Sequence, residues 1–284
     1  MAGRSTSQAP ELAAPVTLQI MSDLHLETPR FLPMYADFRI EPRSPYLALL
    51  GDISHAHDRR LFQFLEGQLE RFDVVFFVMG NHEPYEYDDG ASDEQQDFTN
   101  SAAVYILHDF ERSVSDRRRV QLERNGVSSL GQFVLLDKKR FDLSPTVAVL
   151  GCTLFSRISD LQKSTTSLFV SDFSMITGWS VDAHNASHKT DLEWLNNEVE
   201  TICHTEPERR IVILTHYSPT NLPEANNPDH LEGNRGVQTA FVTALEQERC
   251  WTSPAAKVWA FVMQFERRRT GPWIRRTGEP TIPA

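Results

Sequence analysis

Six short apolar runs constrain the fold of this 284-residue chain: Val16 to Met21, Tyr46 to Leu50, Val74 to Met79, Val147 to Leu150, Ile211 to Leu214 and Val258 to Phe261. They are rich in Val, Ile, Leu and Phe and too short for helices, which suits strands covered on both faces. Helical spacing appears between them. Leu61, Leu65, Leu69 and Phe72 repeat along one face. Leu192, Leu195, Val199 and Ile202 form a second face, which Thr190 and Glu193 open as a capping box. Phe241, Ala244 and Leu245 suggest a third helix, and the acidic segment Glu86 to Asp97 reads as a solvated loop running into another. This alternation predicts one α/β domain over residues 16–261 with a layered, largely buried sheet. Residues 1–15 are small, polar and proline-containing, and read as a disordered lead-in.

The chemistry lies in the residues at the end of each run. Val16–Met21 leads into Ser22-Asp23-Leu24-His25, and Tyr46–Leu50 into Gly51-Asp52. Val74–Met79 leads into Gly80-Asn81-His82-Glu83, and Ile211–Leu214 into Thr215-His216. An Asp after a strand is usually a turn or helix cap, and a lone His is usually a satisfied core or surface group. Four such endings in one chain are a different matter, because sites in α/β sheets assemble at the carboxyl ends of strands. Carboxylate, imidazole and one amide oxygen make a mixed nitrogen–oxygen donor set suited to Mn, Fe or Zn rather than Ca. The absence of thiolates from that set argues against structural zinc. A carboxylate shared by two metals is an arrangement that hydrolyses phosphate esters.

In that order, D-x-H, G-D, G-N-H-E and T-H resemble the calcineurin-like metallophosphoesterases over about residues 16–261. The resemblance implies a layered sandwich of two mixed β-sheets flanked by helices, with two divalent metal ions. Asp23 and His25 would hold the first ion, Asp52 would bridge, Asn81 and His216 would hold the second, and His82 would be the general acid. It further implies that a metal-bridging hydroxide hydrolyses phosphomonoesters or phosphodiesters. The stretch VDAHNASHKTDLEWLNNEV resembles a fungal-type branch, and its His184, Asn185 and His188 are candidates for substrate binding. The alternative for these three is loop and N-cap chemistry.

Two departures stand out. The protein-phosphatase members carry an acid three residues after the bridging aspartate, where this chain has His55, so a small phosphoester is the expected substrate. His55 and His57 themselves read as exposed loop histidines. The family's last core strand ends in G-H-x-H, whose histidines complete both metal sites. Here Val262, Met263, Gln264 and Phe265 stand in that register, and no histidine follows His230. One expectation is therefore an impaired, metallophosphoesterase-like binding module with weak or incomplete metal sites.

Charge sharpens that break. Residues 255–284 hold six Lys/Arg against two Asp/Glu, which leaves 22 against 37 in the first 254 residues. Residues 262–284 read as an atypical, disordered basic tail and an incomplete C-terminal part. A frame or splice discontinuity explains the switch better than a genuine tail. The acidic body repels nucleic acid and anionic membrane. No stretch reaches the roughly 18 apolar residues of a membrane span. The N-terminus has no apolar core of a secretory signal. Cys152, Cys203 and Cys250 are isolated, so the chain reads as cytoplasmic, with a small phosphoester as its partner. Asp229, His230 and Arg235 are candidates to cover the site or bind phosphate from a loop, with a plain surface role as the alternative for Arg235. Asp172 and Asp182 read as solvated.

Overall fold

A computed structural model describes residues 16–29, 31–86, 98–225, 236–263, 271–276 and 282–283. Two sheets pack face to face. The first has the order β1 (Gln19–Met21), β2 (Tyr46–Leu50), β3 (Val74–Val78), β4 (Gln132–Leu135), and every pairing in it is parallel. The second contains β5 (Lys139–Ser144), β6 (Val147–Cys152), β7 (Arg210–Thr215), β8 (Ala256–Met263), β9 (Gly271–Arg276) and β10 (Ile282–Pro283). Its spatial order is β10-β9-β8-β7-β6-β5. Around the parallel core β6-β7-β8 the outer strands run antiparallel. Helices α1 (Arg59–Leu69), α2 (Asn100–Asn125), α3 (Lys163–Phe169), α4 (Asp172–Met175) and α5 (Val181–Thr205) complete the layers. The two-sheet α/β sandwich is the expected one, except that the first sheet is parallel throughout rather than mixed.

Strand periodicity explains the unbroken apolar runs. Leu47, Leu49, Val75 and Phe77 face outward onto Leu61 and Leu65 of α1 and Leu107 of α2. Their neighbours Ala48, Leu50, Val74, Phe76 and Val78 face inward and meet Val149, Leu214, Ala260 and Val262 of the second sheet. On the far side, Leu150, Ile211, Ile213, Trp259 and Phe261 pack on Leu195, Val199 and Ile202 of α5. Both faces of each central strand are dry, so neither can alternate with polar residues.

Three local expectations are revised. Helix α5 starts at Val181 with Ser180 as its cap, whose Oγ accepts from the Ala183 N–H at 3.2 Å. Thr190 sits inside it and donates to the Ala186 carbonyl at 2.9 Å, a back-bond that mimics a cap in sequence. No long helix forms around Phe241. Val242 instead bridges Ser218, and the Leu245 N–H reaches the Pro219 carbonyl at 2.9 Å. Finally, β8 continues through Val262 and Met263, and β9 pairs along it from Val258↔Arg276 to Met263↔Gly271. Of the stretch read as a disordered tail over 262–284, residues 262–263, 271–276 and 282–283 are described as strand, and the pairing by 271–276 covers an edge of β8 that would otherwise stand open; the rest lies outside the described residues. The lead-in 1–15, loop residues 87–97, and Gln264, Phe265 and Glu266 lie outside the described residues.

Candidate functional site

The carboxyl ends of β1, β2, β3 and β7 meet where the two sheets adjoin. The Asp23 N–H donates to the Gly51 carbonyl and the His25 N–H to the Asp52 carbonyl, each at 3.1 Å, lacing the first ending to the second. Asp23, His25 and Asp52 all adopt positive φ, at 51°, 43° and 53°. Non-glycine residues rarely do so, and such backbone is held in place only by its surroundings. The glycines allow the closest approach. A Cβ on Gly51 would lie 2.6 Å from His216 Nδ1, and one on Gly80 would overlap Asp52 Oδ1.

Asp52 is the hub. Its buried carboxylate accepts the His82 backbone N–H at 2.9 Å through Oδ1, which also lies 3.7 Å from His216 Nε2. Its Oδ2 lies 3.9 Å from His82 Nε2. Burial alone would raise its pKa, but His216, His82 and His25 outweigh that and hold it at about 2. Asp23 goes the other way: burial and the Asp52 charge raise it to about 6. Donor atoms of Asp23, His25 and Asp52 all lie within 4.8 Å of one another, and Asp23 Oδ2 is buried without a hydrogen-bond partner.

The other half-site is built on opposed acceptors. His216 is fully enclosed and its Nδ1 lies 2.8 Å from the Leu50 carbonyl, an acceptor, so Nδ1 carries the proton. Its Nε2 then faces Asn81 Oδ1 at 3.0 Å. The amide cannot be turned to donate there, because Asn81 Nδ2 is committed to Asp172 Oδ1 at 2.9 Å. A neutral imidazole nitrogen and an amide oxygen thus aim lone pairs at one another beside the Asp52 carboxylate. Only a cation or a proton reconciles them. The Asp52 and Asp23 charges raise the His216 pKa against the effect of burial. Both half-sites therefore fit divalent cations by donor chemistry as well as by arrangement.

His82 keeps about a third of its side chain exposed. Its ring stacks on Tyr85 at 4.2 Å and meets the His25 ring edge-on at 4.6 Å. Glu27, enclosed beside it, accepts from His25 Nδ1 at 3.3 Å and so leaves His25 Nε2 to face the cluster. This bond and the nearby carboxylates outweigh burial and raise the His25 pKa to about 9. His55 is buried, 4.0 Å from Glu27, and the His57 ring is half-buried against Phe98 at 5.1 Å. Neither is the exposed loop histidine expected, because the turn after Asp52 folds under the site.

His184, Asn185 and His188 do not join this cluster. All three lie on the first turns of α5, not ahead of it. His184 is fully buried among Phe155, Trp179 and Tyr217 and bonds Ser156 Oγ at 3.0 Å. Asn185 clamps Ile158, its Oδ1 accepting the backbone N–H at 2.8 Å and its Nδ2 donating to the carbonyl at 2.9 Å. His188 bonds the Phe155 carbonyl. Together they anchor the loop after β6 rather than face a substrate. Burial and His188 hold the His184 pKa down at about 3. The unfolded chain binds its proton below about pH 6.5 and the folded chain does not, so stability falls as pH drops through that window. The slope from this group is about 1.4 kcal/mol per pH unit. Denaturant melts at pH 7 and pH 5 are expected to show a smaller loss in His184→Phe than in the wild type.

The remaining acids divide by burial. Asp182 is exposed and pairs with Lys163 at 3.2 Å, as expected of a solvated acid. Asp172 is not solvated; it is buried at 2% exposure, because the segment carrying it folds back onto the Asn81 turn. Asp229, His230 and Arg235 lie outside the described residues. Sequence reasoning does not single out Glu27, Glu83, Tyr85 or Asp172 as functional groups. Only Glu83 carries a signal, as the last letter of G-N-H-E.

The chain is similar to known proteins in sequence and in fold. Residues 17–242 match the family described as calcineurin-like phosphoesterase. An uncharacterized protein of Acanthamoeba polyphaga mimivirus is 25% identical over 246 residues, covering 81% of this chain and 76% of that protein. The crystal structure of phosphopantetheinyl hydrolase (PptH) from Mycobacterium tuberculosis superposes with a TM-score of 0.57 at 14% identity, covering 88% of this chain and 86% of that one. That likeness is one of fold.

Proposed function

The chain belongs to the calcineurin-like phosphoesterase family, hydrolases of phosphoester bonds, and from that premise we propose a two-cation reading of its site. Asp23, His25 and Asp52 hold one divalent ion, and Asp52, Asn81 and His216 hold the other, with Mn, Fe or Zn suiting the donors. When bound, the ions supply Lewis-acid charge for the phosphoryl oxygens and an activated water. The opposed acceptors Asn81 Oδ1 and His216 Nε2, 3.0 Å apart beside Asp52, carry this reading.

The protein's own groups do the rest. Glu27 and the Leu50 carbonyl set the ring nitrogens of His25 and His216. Tyr85 holds the His82 ring flat at the open side of the cluster, where His82 hands a proton to the leaving oxygen. A small phosphomonoester or phosphodiester fits a G-D turn without the protein-phosphatase acid, and the acidic body disfavours nucleic acid. Three free thiols, two of them buried, suit a reducing cytoplasm.

Hydrolysis of p-nitrophenyl phosphate and bis-p-nitrophenyl phosphate by the full chain tests the proposal. Chelator is expected to lower turnover by at least about 100-fold, and Mn²⁺ to restore it. A second reading rests on Met263 and Phe265 standing where the family resemblance calls for histidines: an impaired, metallophosphoesterase-like binding module with weak or incomplete metal sites. Fewer than two bound Mn²⁺ ions with no stimulated hydrolysis selects that reading, and clear Mn²⁺-dependent turnover removes it.

A further inference from the structure

We propose that Asp172 is a positioning residue that fixes which end of the Asn81 amide faces the second cation position. The inference rests on the two-cation reading above and adds to it a residue from outside the strand endings.

Asp172 opens α4, a single turn far from the cluster in sequence. Two backbone bonds beyond the site tie down the segment that follows it. The Met175 carbonyl at the end of α4 accepts the Glu86 N–H at 2.7 Å, and the Thr177 N–H reaches the Phe98 carbonyl at 3.1 Å. Held there, the carboxylate meets three donors: Asn81 Nδ2 at 2.9 Å, the Tyr85 hydroxyl at 2.6 Å and the Tyr217 hydroxyl at 3.4 Å. A carboxylate only accepts. It therefore draws the amide nitrogen to itself and sends Oδ1 toward His216 Nε2. An amide turned the other way would aim N–H bonds at the cation and an oxygen at Asp172, which is repulsive at both ends.

The same carboxylate buttresses the neighbouring rings. Tyr85 stacks on His82, and Tyr217 meets the His216 ring edge-on at 5.2 Å. One buried acid thus touches the supports of Asn81, His82 and His216. In metal centres generally, partners that orient a ligand change affinity by about 10–100-fold when replaced.

Asp172→Asn keeps the shape and removes the instruction, since two facing amides can pair in either sense. Mn²⁺ binding to the full chain, read by equilibrium dialysis and by the Mn²⁺ electron-spin signal, is compared for wild type, Asp172→Asn, Asn81→Ala and the double variant. The expected result is an affinity loss of about 10-fold or more for the second ion with the first unchanged. The double variant is expected to lose no more than Asn81→Ala, because Asp172 acts through that amide. Asp172→Ala, whose space admits water, is expected to show the same loss and covers a folding failure of the first variant. Wild-type affinity in either Asp172 variant overturns this inference alone, as does a multiplicative loss in the double variant. A wild-type chain that takes up fewer than two ions overturns it together with the two-cation reading.

Discussion

Asp52→Asn is expected to lower Mn²⁺-dependent kcat/KM on bis-p-nitrophenyl phosphate by at least about 10³-fold, or about 4 kcal/mol of transition-state stabilisation. The size follows from position. Asp52 is the one carboxylate that belongs to both half-sites, grouped with Asp23 and His25 on one side and 3.7 Å from His216 on the other. Every other candidate ligand serves one cation, so its loss leaves one half-site whole. Removing the Asp52 charge weakens both at once. Asparagine keeps an oxygen to accept the His82 N–H, so the turn has its acceptor and the loss reports on chemistry rather than folding. Mn²⁺ content measured on the same preparation is expected to fall with activity. Turnover within tenfold of wild type would remove Asp52 from the mechanism.

How the site reads from sequence depends on where the information sits. The endings Asp23-x-His25, Gly51-Asp52, Gly80-Asn81-His82 and Thr215-His216 are legible because each follows a strand buried on both faces, and strand termini are where such sheets gather polar groups. Their convergence is a consequence of parallel pairing, which puts the ends of β1, β2 and β3 side by side. Residues whose place depends on tertiary folding are not legible. Asp172 has the sequence surroundings of a surface acid, and only the return of α4 onto the Asn81 turn buries it. His184 and His188 look like site histidines in a polar stretch, yet an earlier helix start, at Val181 with Ser180 as cap, rotates them into the core. β5 escapes sequence reading for a related reason. It is the edge strand of its sheet, and Lys139, Arg140 and Asp142 give it the charged pattern of a loop.

The last core strand shows both sides of this. β8 reaches the site as expected, for the Val262 N–H donates to the His216 carbonyl at 3.0 Å. The side chain that arrives there is a fully buried valine packed between the sheets, where the family resemblance calls for glycine before two histidines. On the proposed two-cation reading, Asp23, His25, Asp52, Asn81 and His216 are the candidate donors among the described residues, without the histidines that the family resemblance calls for. That arrangement predicts weaker affinity rather than a different geometry.

Glu83→Ala is expected to lower stability by about 3 kcal/mol or more, although Glu83 is neither a candidate ligand nor within reach of a substrate. Its carboxylate is fully buried and accepts three backbone N–H groups: Asp52 at 3.1 Å, Ile53 at 2.8 Å and Gly80 at 2.7 Å. Two of these belong to the turn after β2 and one to the turn after β3, so one side chain ties together the backbone that presents Asp52 and Asn81. Burial and the Asp52 charge push its own pKa up to about 7, although the Ile53 and Gly80 N–H groups pull the other way. Alanine leaves three buried donors without an acceptor, each costing about 1–3 kcal/mol. In a chain of this size 1 kcal/mol moves Tm by roughly 2 °C, so a fall of about 6 °C or more is the expected reading in a thermal melt. Glu83→Gln is the control for charge and size. It keeps one accepting oxygen but turns an NH₂ toward the remaining donors, so it is expected to recover only part of the loss. A Glu83→Ala melt within about 1 °C of wild type would mean that the two turns are held without this carboxylate. The positive-φ backbone of Asp23, His25 and Asp52 would then be kept in place by the strand pairings and the bonds from Asp23 and His25 to the Gly51 and Asp52 carbonyls.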